Sequence, residues 1–496
     1  ERCSAGLLTF FVSVLFGRRQ LAATGEKLSH AALTAMVVGS MVGAGIFNLP
    51  GRFGAAPGPF GALIAWAIAG TGMYMLARVF QALAQRRPEI DSGVFAYAKA
   101  GFGDYMGFLS AFGYWVGSCI GNVFYWVLIC STLGRFFPDI FGDGSTVTAI
   151  IVSLLGIWAF HFMILRGIKQ AAFVNTIVTI AKIVPLIVAL LIMVFVFNYD
   201  QFAENFMGGP DMPEKSLIDQ VRDTMLITVF VFIGIEGASV YSRFAKERSH
   251  VGSATILGFV GVTGLMVAIT LLPYAAMKQS TIAGLQQPSL AGVLEQIVGP
   301  WGAVFISIGI LVSVLGAFLA WTLIAAEVMF AAAKSNDMPR MFAKQNQNKA
   351  PSTALWITNI VASLFIISTY WSQDAFNFML DMTSVATLLP YLLVAGYGIL
   401  VARRGEGYEA TSNERGRDQI FAWIAAAYTI LMFVAAGLEK VLLLALLLVP
   451  GTILYVWARR EQNLRLFTPV EFVILAITFV AGAAGLWGLL SGTITL

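Results

Sequence analysis

Apolar runs of about 20 residues recur along the whole chain and are separated by short polar loops. A helix of about 20 apolar residues crosses the hydrocarbon core of a bilayer, so this pattern predicts an all-α, polytopic integral membrane protein. Twelve or thirteen spans are expected, from the runs 30–53, 58–84, 104–134, 145–165, 171–197, 221–245, 253–277, 302–333, 353–371, 376–402, 418–437, 439–459 and 469–491.

Glycines interrupt two of these runs. Gly39-Ser-Met-Val-Gly-Ala-Gly-Ile-Phe47 lies in the first run, and Gly234, Glu236 and Gly237 lie close together in the sixth. Each glycine inside a helix costs about 1 kcal/mol relative to alanine, and backbone groups released in a bilayer need partners inside the protein. The two breaks lie in spans 1 and 6, each of which begins a group of five spans. This arrangement predicts a transporter of two inverted halves that binds its solute at the breaks. The spacing of Gly39 and Gly43 is equally typical of close helix packing.

Composition and loop charges refine this prediction. The chain is 58% hydrophobic and 12% charged, and its net charge of +4 is spread over short loops. Lysine and arginine are concentrated in alternate loops, which places the N-terminus in the cytoplasm. The expected divisions are an N-terminal tail (1–28), a first repeat (29–197), an outer linker (198–220), a second repeat (221–402), a cytoplasmic loop (403–417) and C-terminal spans (418–496). The basic segment 334–352 is expected to be an amphipathic helix on the inner leaflet, or a cytoplasmic gate.

Charged side chains inside the spans are candidates for function, because a charge in a bilayer is costly. Glu236 either faces a cation or carries a proton, or it bonds to the backbone of the first break. Lys182 either titrates during transport or acts as a fixed cation, with snorkelling to an interface as the alternative. Glu327 either lines a cytoplasmic vestibule or pairs with a buried cation. His161, near a span end, is expected to anchor at the interface.

Chemical motifs of enzymes do not occur in the sequence. There is no phosphate-binding loop, no HExxH zinc motif and no cysteine–histidine cluster, and Cys3, Cys119 and Cys130 form no disulfide framework. We therefore expect no enzyme activity, no cofactor and no metal, and transport that is driven by gradients or exchange. Three aromatic residues on spans expected to face a cavity are candidates to contact a cation: Tyr114, Phe230 and Trp321.

Several of these stretches resemble one family. The first break and Phe232-Ile-Gly-Ile-Glu236 are similar to the broken helices of the amino acid–polyamine–organocation superfamily, and Ala98-Lys-Ala-Gly-Phe-Gly-Asp104 is similar to its basic amino acid/polyamine antiporters. The resemblance implies the LeuT-like fold of two inverted five-helix repeats with helices 1 and 6 broken, and alternating access. It implies a substrate site made by Ser40, Met41, Gly43, Ala44, Gly45, Gly117, Ser118, Asn122, Ile233, Trp321 and Thr383.

In that family the first break holds the carboxylate and amine of an amino acid, and the tryptophan that matches Trp321 stacks on a guanidinium. The resemblance assigns gating or coupling to Tyr114, Phe230, Glu236, Lys182 and Glu327. Relatives that exchange arginine for agmatine carry Asn and Ser where this chain has Ser40 and Ala44, and Trp where it has Phe230, which argues against that exchange.

The function implied is exchange of arginine for ornithine across a bacterial cytoplasmic membrane. Both solutes carry the same net charge, so one-for-one exchange needs no ion gradient. Proton-coupled symport, lysine/cadaverine exchange, arginine/agmatine exchange and a non-transporting amino acid sensor remain alternatives. Expected partners are cationic amino acids, the lipid bilayer and a second copy in a homodimer, and nucleic acid is not expected.

Overall fold

The structure is a computed structural model that describes residues 34, 38–39, 41–90, 94–167, 171–236, 248–372, 374–409 and 413–494. All regular secondary structure in these ranges is helical. Ten of the helices described there are long and apolar enough to cross a membrane. An eleventh span results if Ile180–Phe195 and Tyr199–Asn205, bent by 101°, are one. The prediction of an all-α membrane protein is confirmed.

The helices follow the apolar runs closely. In chain order they are α1 (Leu49–Gly54), α2 (Pro59–Arg86), α3 (Val94–Phe102), α4 (Asp104–Gly134), α5 (Pro138–Phe141), α6 (Val147–Leu165), α7 (Ala171–Phe195), α8 (Tyr199–Asn205), α9 (Leu217–Arg222), α10 (Met225–Phe232), α11 (Arg248–Leu271), α12 (Pro273–Ala276), α13 (Gln279–Ala283), α14 (Ser289–Val298), α15 (Pro300–Lys334), α16 (Ser352–Ser368), α17 (Ala375–Arg404), α18 (Glu414–Ala436), α19 (Leu438–Glu461) and α20 (Pro469–Leu490). Short 3-10 helices cover Ala44–Asn48, Arg340–Ala343 and Thr369–Trp371.

Two expectations about smaller features are wrong. Segment 334–352 contains only the four-residue 3-10 helix Arg340–Ala343 and turns, rather than an amphipathic helix. His161 is 0% exposed instead of anchoring at an interface. Its Nδ1 lies 2.9 Å from Nδ2 of Asn359, and its ring packs edge-on to Trp356 at 4.4 Å between centroids. A partner on α16 therefore lets α6 bury this imidazole.

The chain forms two compact units, whose boundaries fall within α2, between Ile168 and Lys169, and within α15. Unit 1 comprises Glu1–Ala77 and Lys169–Ala317. Its described core contains a row of rings: Phe53 of α1 stacks on Trp66 of α2 at 5.5 Å, Trp66 meets the edge of Phe232 of α10 at 6.0 Å, and Phe232 stacks on Phe259 of α11 at 5.4 Å. Aromatic pairs add about 0.5–1.5 kcal/mol each beyond burial, so this row fixes α1 and α10, which border the two breaks.

Buried amides hold the outer loops of unit 1. Gln279 Nε2 donates to the carbonyl oxygens of Gly54 and Pro57, each at 3.1 Å, and Gln279 Oε1 accepts from Gly209 N at 2.7 Å. Asn205 Nδ2 donates to the Tyr274 carbonyl at 2.7 Å. These bonds satisfy loop backbone that would otherwise be buried without partners, and they fix the end of α1.

Unit 2 comprises Arg78–Ile168 and Phe318–Leu496 and is built around α4. Helix α4 is apolar on all sides, and nearly every one of its residues is buried. Such a helix belongs in a protein core, since a lipid-facing helix would expose one side. Trp115 Nε1 of α4 donates to Thr358 Oγ1 of α16 at 2.9 Å, which ties these two helices together.

Ion pairs join the loop ends of unit 2. Lys99 Nζ of α3 lies 2.5 Å from Asp337, which follows α15, and 3.5 Å from Asp104 at the start of α4. Arg459 of α19 pairs with Asp104 at 2.7 Å. Burial lowers the pKa of Lys99, but bonding and attraction to Asp337 outweigh it and raise that pKa. Burial also raises the pKa of Asp337, although Lys99 pulls it down. The pKa of Asp337 is raised overall, and Lys99 offsets part of the effect of burial.

Candidate functional site

The first span is broken where the glycines predict it. Val42 N still donates to the Val38 carbonyl at 2.9 Å, but Val42 and Gly43 are not helical. Gly43 is extended, with φ −105° and ψ −169°, and the 3-10 helix begins at Ala44. The first N–H groups of a helix have no acceptor within it, so this break leaves backbone donors at Gly43 to Gly45 for other partners. Ser40 lies outside the described residues.

Gly45 brings this break against α10. A Cβ at Gly45 would lie 2.7 Å from the Phe230 ring and 2.8 Å from Val231. Apart from chain neighbours and adjacent helix backbone, no atom of the described residues lies within 4 Å of a Cβ built at Gly39 or Gly43. The close approach therefore involves Gly45. Within the described ranges, no contact supports the alternative that Gly39 and Gly43 serve close helix packing. Met41 and Ala44, on either side of the break, are buried.

The sixth span is broken directly after α10. Ile233 leaves the helical region with ψ 132°, and Gly234 has φ 107°, a conformation that favours glycine. Gly234 N donates to Glu236 Oε2 at 3.0 Å, so the carboxylate is an acceptor for the backbone of its own break. Phe230, in the last turn of α10, is buried. The sequence from Gly237 to 247 lies outside the described residues.

Lys182 lies in the middle of α7 and is half-buried. Pro185, three residues later, has no N–H to donate to the Ala181 carbonyl. A Cβ built on Gly309 of α15 would lie 3.2 Å from the Ala181 carbonyl oxygen and 2.4 Å from Pro185 Cγ. The helix is thus locally open on the side of Gly309, one residue from Lys182.

In unit 2, α4 carries three of the predicted residues on one face. Tyr114, Ser118 and Asn122 are spaced by four residues and span about 12 Å along the helix. The ring centroid of Tyr114 lies 6.4 Å from that of Trp321 on α15. Ser118 Oγ donates to the Tyr114 carbonyl at 2.8 Å, which leaves its lone pairs as acceptors. Trp321 is half-buried, so part of its ring is accessible.

Asn122 makes a contact that the sequence argument missed. Its Nδ2 lies 3.3 Å from Oγ1 of Thr322, the residue after Trp321, and both side chains are 0% exposed. Asn122 Oδ1 is buried and has no hydrogen-bond partner among the described residues. Thr322 stands in the Trp-Thr-Leu-Ile motif, but only the fold shows that its hydroxyl faces α4.

Gly117 and Thr383 lie at the contact of α4 with α17. A Cβ at Gly117 would lie 3.0 Å from Ala386 Cβ and 3.6 Å from the Thr383 carbonyl, so Gly117 permits close helix packing. The Thr383 hydroxyl donates to the Met379 carbonyl of its own helix at 2.8 Å. Glu327, further along α15, is exposed on the surface of unit 2. The predicted site residues therefore form one set in unit 1 and one in unit 2.

Metal-binding side chains do not gather in the part of the chain that the structure describes: no three of His, Cys, Asp or Glu are placed to hold an ion there. The polar atoms of both sets are instead backbone amides, one carboxylate, one amide and hydroxyls. Such groups suit a small charged organic solute, which needs a few well-placed donors and acceptors.

Comparison with known proteins identifies relatives across the whole chain. The family model described as "Amino acid permease" matches residues 28–458. The chain is 48% identical to an arginine/ornithine antiporter of Pseudomonas aeruginosa over 95% of this chain and 99% of that protein. It is 40% identical to an L-lysine transport protein of Corynebacterium glutamicum, over 97% of this chain and 98% of the relative. An arginine/agmatine antiporter of Chlamydia abortus is 37% identical, over 92% and 96%.

A solved structure shares the fold. The crystal structure of MhsT in complex with L-phenylalanine superposes with a TM-score of 0.57 and covers 83% of this chain and 99% of its own. Sequence identity is 17%, so the likeness extends to the fold alone. The predicted transporter fold with two broken helices is confirmed.

Proposed function

Because this chain belongs to the amino acid permease family, we propose that it is a secondary-active antiporter that takes up arginine and releases ornithine by alternating access. The observation that carries the proposal is the 48% identity to an arginine/ornithine antiporter over nearly the full length of both chains. Arginine and ornithine carry the same net charge at neutral pH, so one-for-one exchange moves no net charge and needs no coupled ion.

The set in unit 1 is proposed to bind the α-carboxylate and α-amine of the solute. The break at Gly43 to Gly45 offers backbone donors for a carboxylate, and the break at Ile233 and Gly234 offers backbone for the amine. Glu236 accepts a hydrogen bond from Gly234 N within this second break, and its carboxylate is proposed as a partner for the amine. Phe230 closes over Gly45 and is proposed as the gating ring.

The set in unit 2 is proposed to recognise the cationic side chain. Trp321 offers part of its ring beside Tyr114, and a guanidinium over an aromatic face gains about 0.5–2 kcal/mol. Asn122 Oδ1 is an acceptor without a partner in the described ranges, which suits a group that only donates. Ser118 adds an acceptor on the same face of α4.

Exchange is tested with the purified protein in liposomes. Vesicles loaded with ornithine should take up labelled arginine, and empty vesicles should take up little. Vesicles loaded with alanine, a neutral amino acid, test whether the counter-solute must be cationic. Rapid uptake into empty vesicles that follows an imposed pH gradient would contradict exchange and indicate proton symport.

Transport of lysine with a proton is the second candidate, and it is supported by the 40% identity to an L-lysine transport protein and by Lys182 in the middle of α7. In this case Lys182 or Glu236 carries the proton. Replacing Lys182 with alanine should then abolish uptake driven by a pH gradient while sparing exchange. Full gradient-driven uptake by the Lys182→Ala variant would exclude Lys182 as the carrier.

We also propose that the protein lies in a bacterial cytoplasmic membrane with its N-terminus in the cytoplasm. The support is the alternation of basic loops, in which Arg86, Arg87 and Lys99 lie on the same side as Arg403 and Arg404. Cysteine labelling from one side of the membrane tests this orientation.

A further inference from the structure

Four exposed cations lie on one surface of unit 2: Arg166, Arg340, Lys344 and Lys349. In the part of the chain that the structure describes, none of these side chains pairs with an Asp or Glu side chain. Residues 340–349 contain no acidic residue, and Glu461 Oε2 only accepts from the backbone N of Arg340, at 2.9 Å. This surface, here called the basic surface, therefore keeps a net positive charge.

Side-chain hydrogen bonds hold the basic surface against the end of α6. Asn346 Nδ2 and Asn348 Nδ2 both donate to the Leu165 carbonyl, at 2.8 and 2.9 Å. Arg166 directly follows Leu165, so it lies beside the turns of residues 344–349 that carry the two lysines. Cations from two loops are thus gathered at one place, although they are far apart in the sequence.

The basic surface lies where two apolar spans have their ends. Helix α6 ends at Leu165 and α16 begins at Ser352, and both are apolar and long enough to cross a membrane. Three apolar side chains close to these two ends are exposed, namely Phe162, Met163 and Trp356. Tryptophan is enriched where hydrocarbon meets the headgroup layer. The cations therefore border a lipid-facing surface at the depth of the lipid headgroups.

Cations at other loop ends of unit 2 are neutralised within the protein. Such pairs join Arg86 to Glu414, Arg87 to Glu406, and Arg459 to Asp104. A paired cation attracts an external anion less, because its carboxylate cancels much of the field at a distance. The basic surface lacks this cancellation, so its charge is available to an anion from outside the chain.

We propose that the basic surface binds the phosphate headgroups of anionic phospholipids. Ammonium and guanidinium groups form charge-assisted hydrogen bonds with phosphate oxygens, and basic residues beside a span are attracted to anionic lipids. Lys99 pairs with Asp337 at 2.5 Å, which places the segment after α15 on the side of Lys99. By the proposed orientation this is the cytoplasmic leaflet. The inference goes beyond the proposed exchange and does not depend on which solute is carried.

The test counts lipids bound to the full-length protein by native mass spectrometry in detergent. The protein is titrated with dioleoylphosphatidylglycerol, which is anionic, or with dioleoylphosphatidylcholine, which has the same chains and no net charge. The test variant replaces three cations of the basic surface with glutamine: Arg166, Lys344 and Lys349. The matched control removes the same charge from cations of unit 1 that pair with carboxylates: Lys215, Arg222 and Lys278.

We expect the wild type to bind phosphatidylglycerol more tightly than phosphatidylcholine. Each exposed Lys or Arg near a lipid surface changes affinity by about fivefold, so the test variant should lose about 100-fold for phosphatidylglycerol. Its affinity for phosphatidylcholine and that of the control variant for both lipids should match the wild type. A variant with Arg166→Lys, Lys344→Arg and Lys349→Arg keeps the charges and should bind like the wild type. Raising salt from about 50 mM to about 500 mM should weaken only the binding of phosphatidylglycerol.

Unchanged phosphatidylglycerol binding by the test variant would overturn the inference, and so would equal losses in the test and control variants. Displacement of the lipid by an equal concentration of glycerol phosphate would assign the surface to a soluble phosphate instead. A change of oligomeric state in the test variant with unchanged lipid binding would mean a contact between copies. If the test variant does not fold, a wild type whose lipid preference ignores salt would overturn the inference. No solute is present in these measurements, so their failure is distinct from failure of arginine exchange.

Discussion

The close approach of Gly45, in the first break, to α10 can be tested by adding one methyl group. In Gly45→Ala the new Cβ would lie 2.7 Å from the Phe230 ring and 2.8 Å from Val231 Cγ1. Carbon atoms pack at about 3.5 Å or more, so the ring or the backbone must move by roughly 0.8 Å. Overpacking of this kind costs about 1–3 kcal/mol, and alanine regains up to about 1 kcal/mol of helix propensity. The expected net loss of stability is up to about 2 kcal/mol.

Gly43→Ala is the matched control for this substitution. Apart from chain neighbours and adjacent helix backbone, no atom of the described residues lies within 4 Å of its new Cβ, and its extended backbone suits any residue. The assay is thermal unfolding of the purified variants in detergent, followed by arginine exchange in liposomes. Gly45→Ala should melt below the wild type and exchange more slowly, whereas Gly43→Ala should melt like the wild type. A Gly45→Ala variant that matches the wild type in both melting temperature and exchange rate would refute the close approach of the first break to α10.

Substitutions at Trp321, at Glu236 and in the Lys99–Asp337 pair test three further features. Trp321→Leu should raise the arginine KM by about 2- to 30-fold and affect a small neutral amino acid much less, whereas an equal effect in competition assays would mean a structural role. Glu236→Gln keeps an acceptor for Gly234 N, so it should melt like the wild type but have a raised arginine KM. Glu236→Leu removes the acceptor, so it should have a raised KM and a lower melting temperature than the wild type. An unchanged melting temperature of the leucine variant would contradict the hydrogen bond between Gly234 and Glu236. Lys99→Met should lower the free energy of unfolding by about 1–3 kcal/mol at pH 8, because it leaves the buried Asp337 carboxylate without its nearest cation, and Asp337→Asn should be neutral or stabilising. The pKa of Asp337 is raised in the folded state, so its ionisation costs stability that is absent below the unfolded-state pKa and complete above the folded-state pKa. The Lys99→Met deficit should therefore shrink on acidification, and a deficit that grows would refute this.

The sequence was sufficient to predict the two breaks, because glycines and the length of an apolar run act through residues that are neighbours in the chain. Gly43 and Gly234 interrupt apolar runs whose lengths match a bilayer, and the helical conformation is broken at both points. The C-terminal helices α18, α19 and α20 also coincide with apolar runs. These features depend on residues next to one another, which a single sequence displays.

Features that depend on a distant partner were not predictable. His161 is buried because Asn359 and Trp356, about 200 residues later, surround its ring. Asn122 is likewise buried against Thr322, which is 200 positions away. Segment 334–352 has a basic composition that suits a helix on a membrane, but Asn346 Nδ2 instead donates to the Leu165 carbonyl of α6 at 2.8 Å, and the segment folds as turns. The pattern of one segment does not reveal such competing partners.

Obligate exchange is the central claim, and its stoichiometry tests it most directly. Liposomes loaded with ornithine labelled by one isotope are given arginine labelled by another, and both fluxes are counted with and without an imposed membrane potential. The account predicts one ornithine released for each arginine taken up, at a rate that the membrane potential does not change. Arginine uptake that exceeds ornithine release, or a rate that follows the membrane potential, would contradict it.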